Sequence, residues 1–283
     1  MYREHFGLHE APFGITPDMA FTYAAPSHQD ALATLLLALR GGEGFVKVTG
    51  EVGTGKTLLC RTLLAALAQD AHTVTAYVPQ PRLSPREMLR ALAGELLLRP
   101  SRRSAAHELH AALESGLLAL AEQGRCVVLC IDEAQAMPVE TLEALRLLSN
   151  LETAKRKLLQ IVLFGQPELD AMLAAPACRS LASRIGFGVE LAPLSRRDFA
   201  RYLQHRMLIA GWRGPAVFGP LACALLHRAS AGVPRRANIL AHKALLLAYG
   251  EGVHRIGWRH AWAAARDGRL RSLHATPLFG VQP

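Results

Sequence analysis

The chain has 283 residues, of which 51% are hydrophobic and 19% charged, a composition typical of ordered globular proteins and not of disordered ones. No apolar run reaches the roughly 18 residues that a membrane helix needs, and the first residues lack the apolar core of a secretion signal. The cysteines show no CxxC spacing, which argues against a zinc site and a disulfide framework. These features predict a cytoplasmic protein without a membrane span, which docks at most peripherally at the inner membrane.

The positive charge is concentrated in the last third of the chain. Residues 194–271 hold 14 Lys or Arg against 3 Asp or Glu, a net charge of +11, whereas residues 1–193 hold 18 against 20, a net charge of −2. Such a segment is a solvated helical surface, or a contact for an acidic partner, for nucleic acid or for the phosphates of a nucleotide.

The first segment, residues 1–26, holds three prolines with aromatic residues between them and is predicted as an extended arm. A helix is predicted to begin after Ser27, whose hydroxyl can cap it, and to end at Gly41 and Gly42. The run FVKVT then predicts a strand. The later predicted helices are 58–68, 84–98, 107–122, 139–151 and 168–184, and the later predicted strands are 72–78, 126–131, 158–164 and 186–191. In the helix 84–98, Ser84 and Glu87 have the spacing of a capping box.

This alternation of apolar strands with helices predicts an α/β fold, in which helices cover both faces of a parallel five-stranded sheet. After Pro193 the strand signals stop, and four amphipathic helices predict a small all-helical domain. The predicted domains are the arm 1–26, the α/β domain 27–193, the helical domain 194–272 and a tail 273–283. The tail is either a floppy end or a short docking peptide.

The motif GEVGTGKT, from Gly50 to Thr57, lies between a predicted strand and a predicted helix, where a P-loop binds nucleotide phosphates. Its glycines let backbone N–H groups face the phosphates, and the following helix adds its positive N-terminus. We expect Lys56 to reach the β and γ phosphates of ATP, and Thr57 to ligate Mg²⁺. The predicted ATP-binding residues are Gly50, Glu51, Val52, Gly53, Thr54, Gly55, Lys56, Thr57 and Leu58.

Two carboxylates follow the apolar strand VVLCI. Asp132 is predicted to hold Mg²⁺ through water, and Glu133 to polarise the attacking water as a general base. A buried strand rarely ends in paired acids unless a cation or a reactant accompanies them. Gln166 follows a third strand, where its amide can orient the attacking water, although a Gln at a strand end is as often a plain polar loop residue.

The order of P-loop, DEAQ, GQPEL, SRI and GVPRRAN resembles that of AAA+ ATPases, which implies a P-loop NTPase fold with a helical lid. The opening MYREHFGLHEAPFGITPD, together with these motifs, is similar to the general secretion pathway protein A group, over residues 1–266. Because the chain stops before the membrane segment and the peptidoglycan-binding domain of the longer members, we expect no direct binding to the cell wall. The shorter members, such as the mannose-sensitive pilus biogenesis ATPase, are the better match.

The resemblance implies roles for the residues already singled out. Lys56 and Thr57 match the Walker A residues, and Asp132 and Glu133 match the Walker B residues. Gln166 takes the sensor 1 position, where Asn, Ser or Thr is more frequent in the family.

The resemblance also implies roles for arginines, which supply charge stabilisation in phosphoryl transfer. Arg184 matches an arginine finger offered to a neighbouring subunit, with Arg179 as its alternative in the same predicted helix. Arg235 matches the sensor 2 residue of the lid. A finger that serves a neighbour's nucleotide implies self-association into a ring, such as a hexamer.

Two functions follow from these observations. The first is an ATPase that powers or assists assembly of a bacterial envelope machine, with inner-membrane pilus or type II secretion proteins as partners. The second is a DNA-associated ATPase similar to transposition accessory proteins, and the N-terminal signature favours the first function over it.

Other classes of nucleotide-binding protein lack support. A GTPase would need an NKxD-like motif, which the chain does not have, and a helicase would need a second motor domain with strands after Pro193. The paired carboxylates favour hydrolysis over a small-molecule kinase.

Overall fold

The computed structural model describes residues 2–16, 18–98, 101, 104–152 and 157–273, so the predicted tail from 274 onward lies outside the described residues. The chain divides into two compact units. The α/β unit is Pro26–Ala192, and the helical unit takes the described residues of Met1–Ala25 and Pro193–Pro283. Among the described residues, no helix combines the length and the apolar character that crossing a bilayer would require.

The elements are numbered in chain order. The strands are β1 Phe45–Thr49, β2 Thr73–Val78, β3 Cys126–Ile131, β4 Leu159–Gly165 and β5 Ile185–Glu190. The helices are α1 Tyr2–His5, α2 Pro26–Arg40, α3 Lys56–Leu67, α4 Pro85–Glu95, α5 Ala106–Glu122, α6 Val139–Leu148, α7 Pro167–Ala174, α8 Arg179–Ala182, α9 Arg196–Ile209, α10 Pro220–Ser230, α11 Pro234–Gly250 and α12 Trp258–Leu273.

The five strands form one parallel sheet in the spatial order β2-β3-β4-β1-β5, which confirms the predicted fold class. Successive residues of a strand face opposite sides of a sheet. In β3, Val127 and Leu129 accordingly pack into a core with α4, α5 and α6, whereas Val128 and Cys130 pack into a second core with α2 and α3. Helices therefore cover both faces, and the apolar composition of β3 follows from burial on both sides.

The parallel arrangement brings three strand ends to one edge of the sheet. In the register, Thr49 at the end of β1 lies opposite Gly165 at the end of β4, and Ile131 at the end of β3 lies opposite Leu163. The segments that follow β1, β3 and β4 carry the P-loop, the carboxylates and Gln166. The strand order thus places the predicted site residues on adjacent strands.

Several boundaries differ from the predictions. The predicted helix 168–184 is wrong, because α7 ends at Ala174, a 3-10 turn follows at Pro176–Cys178, and the separate α8 begins at Arg179. Ala175 is extended with ψ of 146°, as expected for a residue that precedes proline. Helix α2 begins at Pro26, ahead of the predicted Ser27 cap, because proline suits the first turn of a helix.

The edge strand β5 also differs from the prediction, since it is largely exposed and not buried on both faces. Likewise the N-terminal arm is not extended throughout, because it contains α1 and a 3-10 turn at Met19–Phe21. These are short elements at a sheet edge or in an arm, where periodicity gives little signal.

In the helical unit, the arm packs into the core that α9, α10, α11 and α12 build. Phe6, Phe13 and Phe21 are buried in that core. Arg206 of α9, which is 8% exposed, donates through Nε to the Pro12 carbonyl oxygen at 2.5 Å, and its guanidinium lies 4.7 Å from the centre of the Phe21 ring. Asn238 of α11 donates to the Gly14 carbonyl oxygen at 2.9 Å.

Candidate nucleotide-binding site

The loop from Gly50 to Lys56 has the backbone shape of a phosphate cradle. Gly53 and Gly55 have φ of 87° and 105°, which glycine adopts readily and other residues rarely do. Thr54 is fully buried, and its hydroxyl donates to the Glu51 carbonyl oxygen at 2.9 Å. Because α3 begins at Lys56, the N-terminus of a 12-residue helix with its unpaired N–H groups follows this loop directly.

Lys56 lies inside the loop and not in solvent. It is 5% exposed, and its Nζ donates to the carbonyl oxygens of Gly50 at 2.7 Å and Glu51 at 3.0 Å. Burial lowers the pKa of Lys56, and the nearby carboxylates, Glu133 and Asp132 first among them, oppose that shift. The Lys56 ammonium can form charge-assisted hydrogen bonds with phosphate oxygens.

Asp132, the residue after β3, forms a side-chain hydrogen bond with the first turn of α3. It is 3% exposed, and its Oδ2 accepts a hydrogen bond from the Thr57 hydroxyl at 2.6 Å. Its Oδ1 accepts from the backbone N–H of Glu133 at 3.0 Å. The structure therefore brings together the two residues that the sequence predicted as a magnesium pair. Their hydroxyl and carboxylate oxygens are the donor type that Mg²⁺ prefers, so the residues present fit that ion.

Glu133 adopts a left-handed backbone conformation, with φ of 52° and ψ of 39°, which is uncommon outside glycine and is often found at functional sites. Its Oε2 accepts hydrogen bonds from two side-chain amides, from Gln135 Nε2 at 2.5 Å and from Gln166 Nε2 at 3.0 Å. The predicted base and the predicted sensor 1 residue are thus in direct contact. Two donors on one oxygen leave the carboxylate with a defined orientation.

Gln135 was missed as a site residue by sequence reasoning. Besides its bond to Glu133, its Oε1 accepts from the backbone N–H of Gln166 at 3.0 Å, so its amide bridges the segments after β3 and β4. The signal that could have found it was its place in the DEAQ motif. Gly165 is required beside it, because a Cβ there would lie 3.2 Å from Gln135 Oε1 and 2.6 Å from Leu169 Cδ2.

His28 of α2 is a second residue that the predictions missed. Its Nε2 lies 2.9 Å from the Thr54 carbonyl oxygen, to which it donates. Burial lowers the pKa of His28, and the bond to Thr54 opposes the shift. A Cβ on Gly55 would approach His28 Nε2 to 2.8 Å, so the imidazole packs directly against the P-loop backbone. A histidine far upstream of the motif carries no local signal for this contact.

The three predicted arginines are exposed. Arg184 lies in the turn between α8 and β5, and Arg179 is the first residue of α8, so they do not share one long helix. Arg235 is exposed in the first turn of α11, in the helical unit. The roles of these three residues stay predictions.

The comparisons with known proteins agree with this geometry. A family described as an AAA domain matches residues 39–173. General secretion pathway protein A of Aeromonas hydrophila is 43% identical over 256 residues, which are 90% of this chain and 46% of that protein. The chain thus spans a little under half the length of this curated relative. The resemblance to the general secretion pathway protein A group is confirmed, whereas the nearer match to its pilus-type members stays a prediction.

Solved structures show a similar fold at low sequence identity. Cdc6p from Pyrobaculum aerophilum matches with a TM-score of 0.68 and 16% identity, over 94% of this chain and 73% of that one. The ORC2 protein of Aeropyrum pernix, in ADPNP and ADP complexes, matches with a TM-score of 0.62 and 20% identity, over 93% and 75%. The ORC1 protein of the same organism, in complex with DNA, matches with 0.63 and 21%, over 95% and 73%.

Proposed function

We propose that the chain, which matches an AAA domain over residues 39–173 and is similar to general secretion pathway protein A, binds ATP and hydrolyses it. The observation that carries the proposal is the meeting of polar groups at one sheet edge. Thr57 bonds Asp132 at 2.6 Å, and Gln166 bonds Glu133 at 3.0 Å, beside a buried lysine. Such a cluster is costly to bury unless it serves binding or chemistry.

The P-loop residues supply phosphate binding. Backbone N–H groups from Gly50 to Thr57 face the triphosphate, and Lys56 exchanges its bonds to the Gly50 and Glu51 carbonyls for bonds to phosphate oxygens. Thr57 and Asp132 would hold Mg²⁺, which supplies charge neutralisation on the phosphates when bound. His28 keeps the loop in shape through the Thr54 carbonyl. The fold neighbour crystallised with ADPNP and ADP supports a nucleotide in this type of fold.

Hydrolysis follows from the carboxylate pair. Asp132 is engaged by Thr57, whereas Glu133 is half-buried and accepts hydrogen bonds from two side-chain amides, which keeps its carboxylate aligned for a water proton. We assign Glu133 as the general base and Gln166 as the amide that orients the attacking water.

The test is phosphate release from ATP by the purified chain beside the Glu133→Gln variant. Removing a general base typically lowers the rate by 10²- to 10⁴-fold, so we expect turnover to fall by about 10³-fold while nucleotide affinity is kept. The exposed Glu140 of α6 offers the matched control, and Glu140→Gln should keep full turnover. Full turnover in Glu133→Gln would refute its assignment as the base.

We further propose that the chain acts as a ring, such as a hexamer, in which Arg184 reaches the nucleotide of the next subunit and Arg235 serves the lid. The exposure of both arginines supports contacts outside their own unit. Turnover per chain should then rise steeply with protein concentration, and Arg184→Ala should abolish that rise. If Arg179→Ala does so instead, the finger is Arg179.

As its biological role we propose that the chain powers or assists the assembly of an envelope machine, a type IV-like pilus or a type II secretion system, from the cytoplasmic face of the inner membrane. The likeness to general secretion pathway protein A supports this role. A DNA-associated ATPase is the second candidate, favoured by the net charge of +11 over residues 194–271. Duplex DNA in the turnover assay separates the two, because salt-sensitive stimulation by DNA supports only the second.

A further inference from the structure

The helical unit exposes two tryptophans on neighbouring turns of α12. Trp258 is 51% exposed and Trp262 is 52% exposed, and their spacing of four residues places them on one face of the helix. The adjacent α10 presents Leu221, which is 67% exposed, and the half-buried Leu225. Exposed apolar groups that cluster in this way mark interaction sites more often than scattered ones do.

These side chains line a concave surface. A groove of about 740 Å³ is bounded by Leu221 and Leu225 of α10, by Trp258 of α12, and by Arg196 and Arg228. A second depression, between Trp262 and α10, shares Leu225 and Arg228 with the first. We call the set Leu221, Leu225, Arg228, Trp258, Trp262 and Arg266 the Trp–Arg face.

The charge on this face is positive. Arg196, Arg228 and Arg266 line its two depressions, and Arg259 stacks on Trp258 at 5.6 Å. None of the ion pairs within the described residues involves these four arginines. The nearby acidic side chains have partners: Glu251, which lines a depression together with both tryptophans, bonds His260, and Asp267 pairs with Lys243.

We propose that the Trp–Arg face binds an acidic segment of a partner protein, which inserts large apolar side chains into the groove and sets carboxylates against the arginines. Tryptophan and arginine are the residues that most often carry binding energy in protein interfaces. A groove beside paired helices suits an amphipathic segment with apolar residues on one side. A concave apolar groove of this size offers little to a flat lipid surface or to a phosphate backbone. The inference stands on the helical unit alone and requires no ATP turnover.

The test is selection of displayed short random peptides on the immobilised full chain, with depletion on the Trp258→Ala/Trp262→Ala variant. We expect the surviving peptides to be enriched in Asp and Glu and to carry apolar residues between them. Their dissociation constants, from fluorescence anisotropy, should rise about tenfold or more in the double variant and in Arg228→Glu. The charge reversal keeps the apolar surface, so it tests the proposal even if the tryptophan variant perturbs α12.

The control is Leu37→Ala/Leu147→Ala, which removes exposed apolar groups from the α/β unit and should leave the affinities unchanged. A selection that yields no peptide sensitive to Trp258 and Arg228, or one that yields basic peptides, overturns the proposal. It is also overturned if only oligothymidylate, or only vesicles of phosphatidylcholine and phosphatidylglycerol, bind in a Trp258-dependent way. Self-association that the double variant abolishes, without peptide binding, would assign the face to a second copy.

Discussion

In the α/β unit the buried polar side chains meet at one edge of the sheet, whereas in the helical unit they hold the N-terminal arm. Lys56, Asp132 and Thr54 are buried around the loop that follows β1. Arg206 and Asn238 are buried against the carbonyls of Pro12 and Gly14. Burial of charge is costly in both places, but of the two clusters only the first combines an ammonium, two carboxylates and a helix N-terminus.

This difference shows how to separate polar groups that fold a protein from those that bind a ligand. The Arg206 guanidinium points at a backbone carbonyl and an aromatic ring, and both are fixed parts of the chain. Lys56 also bonds carbonyls, but these belong to a loop whose glycines leave its N–H groups able to face a ligand. Substitutions in the two clusters should therefore affect different measurements.

The largest effect is expected from Lys56→Met. The variant loses the ammonium that contacts the β and γ phosphates, and hydrogen bonds to charged groups contribute about 1.5–3 kcal/mol. ATP affinity, measured by calorimetry, should weaken by about 100-fold. Lys243→Met is the control in the helical unit, because it removes an exposed ion pair with Asp267 and should leave the affinity as it is. Equal ATP affinities in Lys56→Met and Lys243→Met would contradict the assignment of phosphate binding to the lysine of the α/β unit.

Arg206→Met should instead change stability. The variant keeps an apolar stem but leaves the Pro12 carbonyl without its donor and removes the contact with the Phe21 ring. We expect the free energy of unfolding of the helical unit, from urea titration, to fall by about 3 kcal/mol. The exposed Arg201 of the same helix is the matched control, and Arg201→Met should lose under about 0.5 kcal/mol. A large loss of ATP affinity in Arg206→Met would contradict the distinction.

Gln135→Ala should lower kcat by about tenfold, because Glu133 keeps one of its two amide donors and loses its fixed orientation. ATP affinity should stay unchanged, since Gln135 does not belong to the P-loop. Gln123→Ala, at an exposed helix end, serves as control. Unchanged kcat in Gln135→Ala would show that the Gln135 bridge has no part in turnover.

The smallest effect is expected from His28→Gln and concerns pH. Burial lowers the pKa of His28 in the folded chain below its ordinary 6.5. The unfolded chain therefore binds more protons at acidic pH, and the stability that neutral His28 gives is complete above about pH 6.5 and lost as pH falls below it. The melting temperature of the α/β unit should thus depend less on pH below 6.5 in His28→Gln. The exposed His107→Gln should keep the wild-type dependence, and identical curves for all three proteins would refute the effect.

Sequence reasoning predicted the features that local pattern controls. The strand β3 follows from its apolar run, and the cap of α4 from Ser84 and Glu87, which bond reciprocally as their spacing predicts. The place of Gln166 after a strand that ends beside the nucleotide was predicted from the usual winding of a parallel sheet, whereas its contact with Glu133 was not predicted. These predictions needed only short windows and one topological rule.

What the sequence did not predict depends on contacts between distant residues. Arg206 donates to Pro12 across 194 positions, and Gln160 on β4 donates to the Leu39 carbonyl across 121. No periodicity encodes such pairs. His28 was missed for the same reason, and the helix break at Pro176 was missed because the amphipathic pattern continues through it.

The strand order has a consequence for synthesis of the chain. β1 leaves the ribosome first among the strands, yet its two hydrogen-bonded neighbours are β4 and β5, which are made last. The nascent P-loop therefore has no neighbouring strand for β1 to pair with until residue 165 has emerged. The carbonyl groups of Pro12 and Gly14 gain their hydrogen-bond donors later still, when Arg206 and Asn238 have been made. A ribosome that stalls between β3 and β4 would carry a strand with two open edges, the kind of segment that nascent-chain chaperones shield from aggregation.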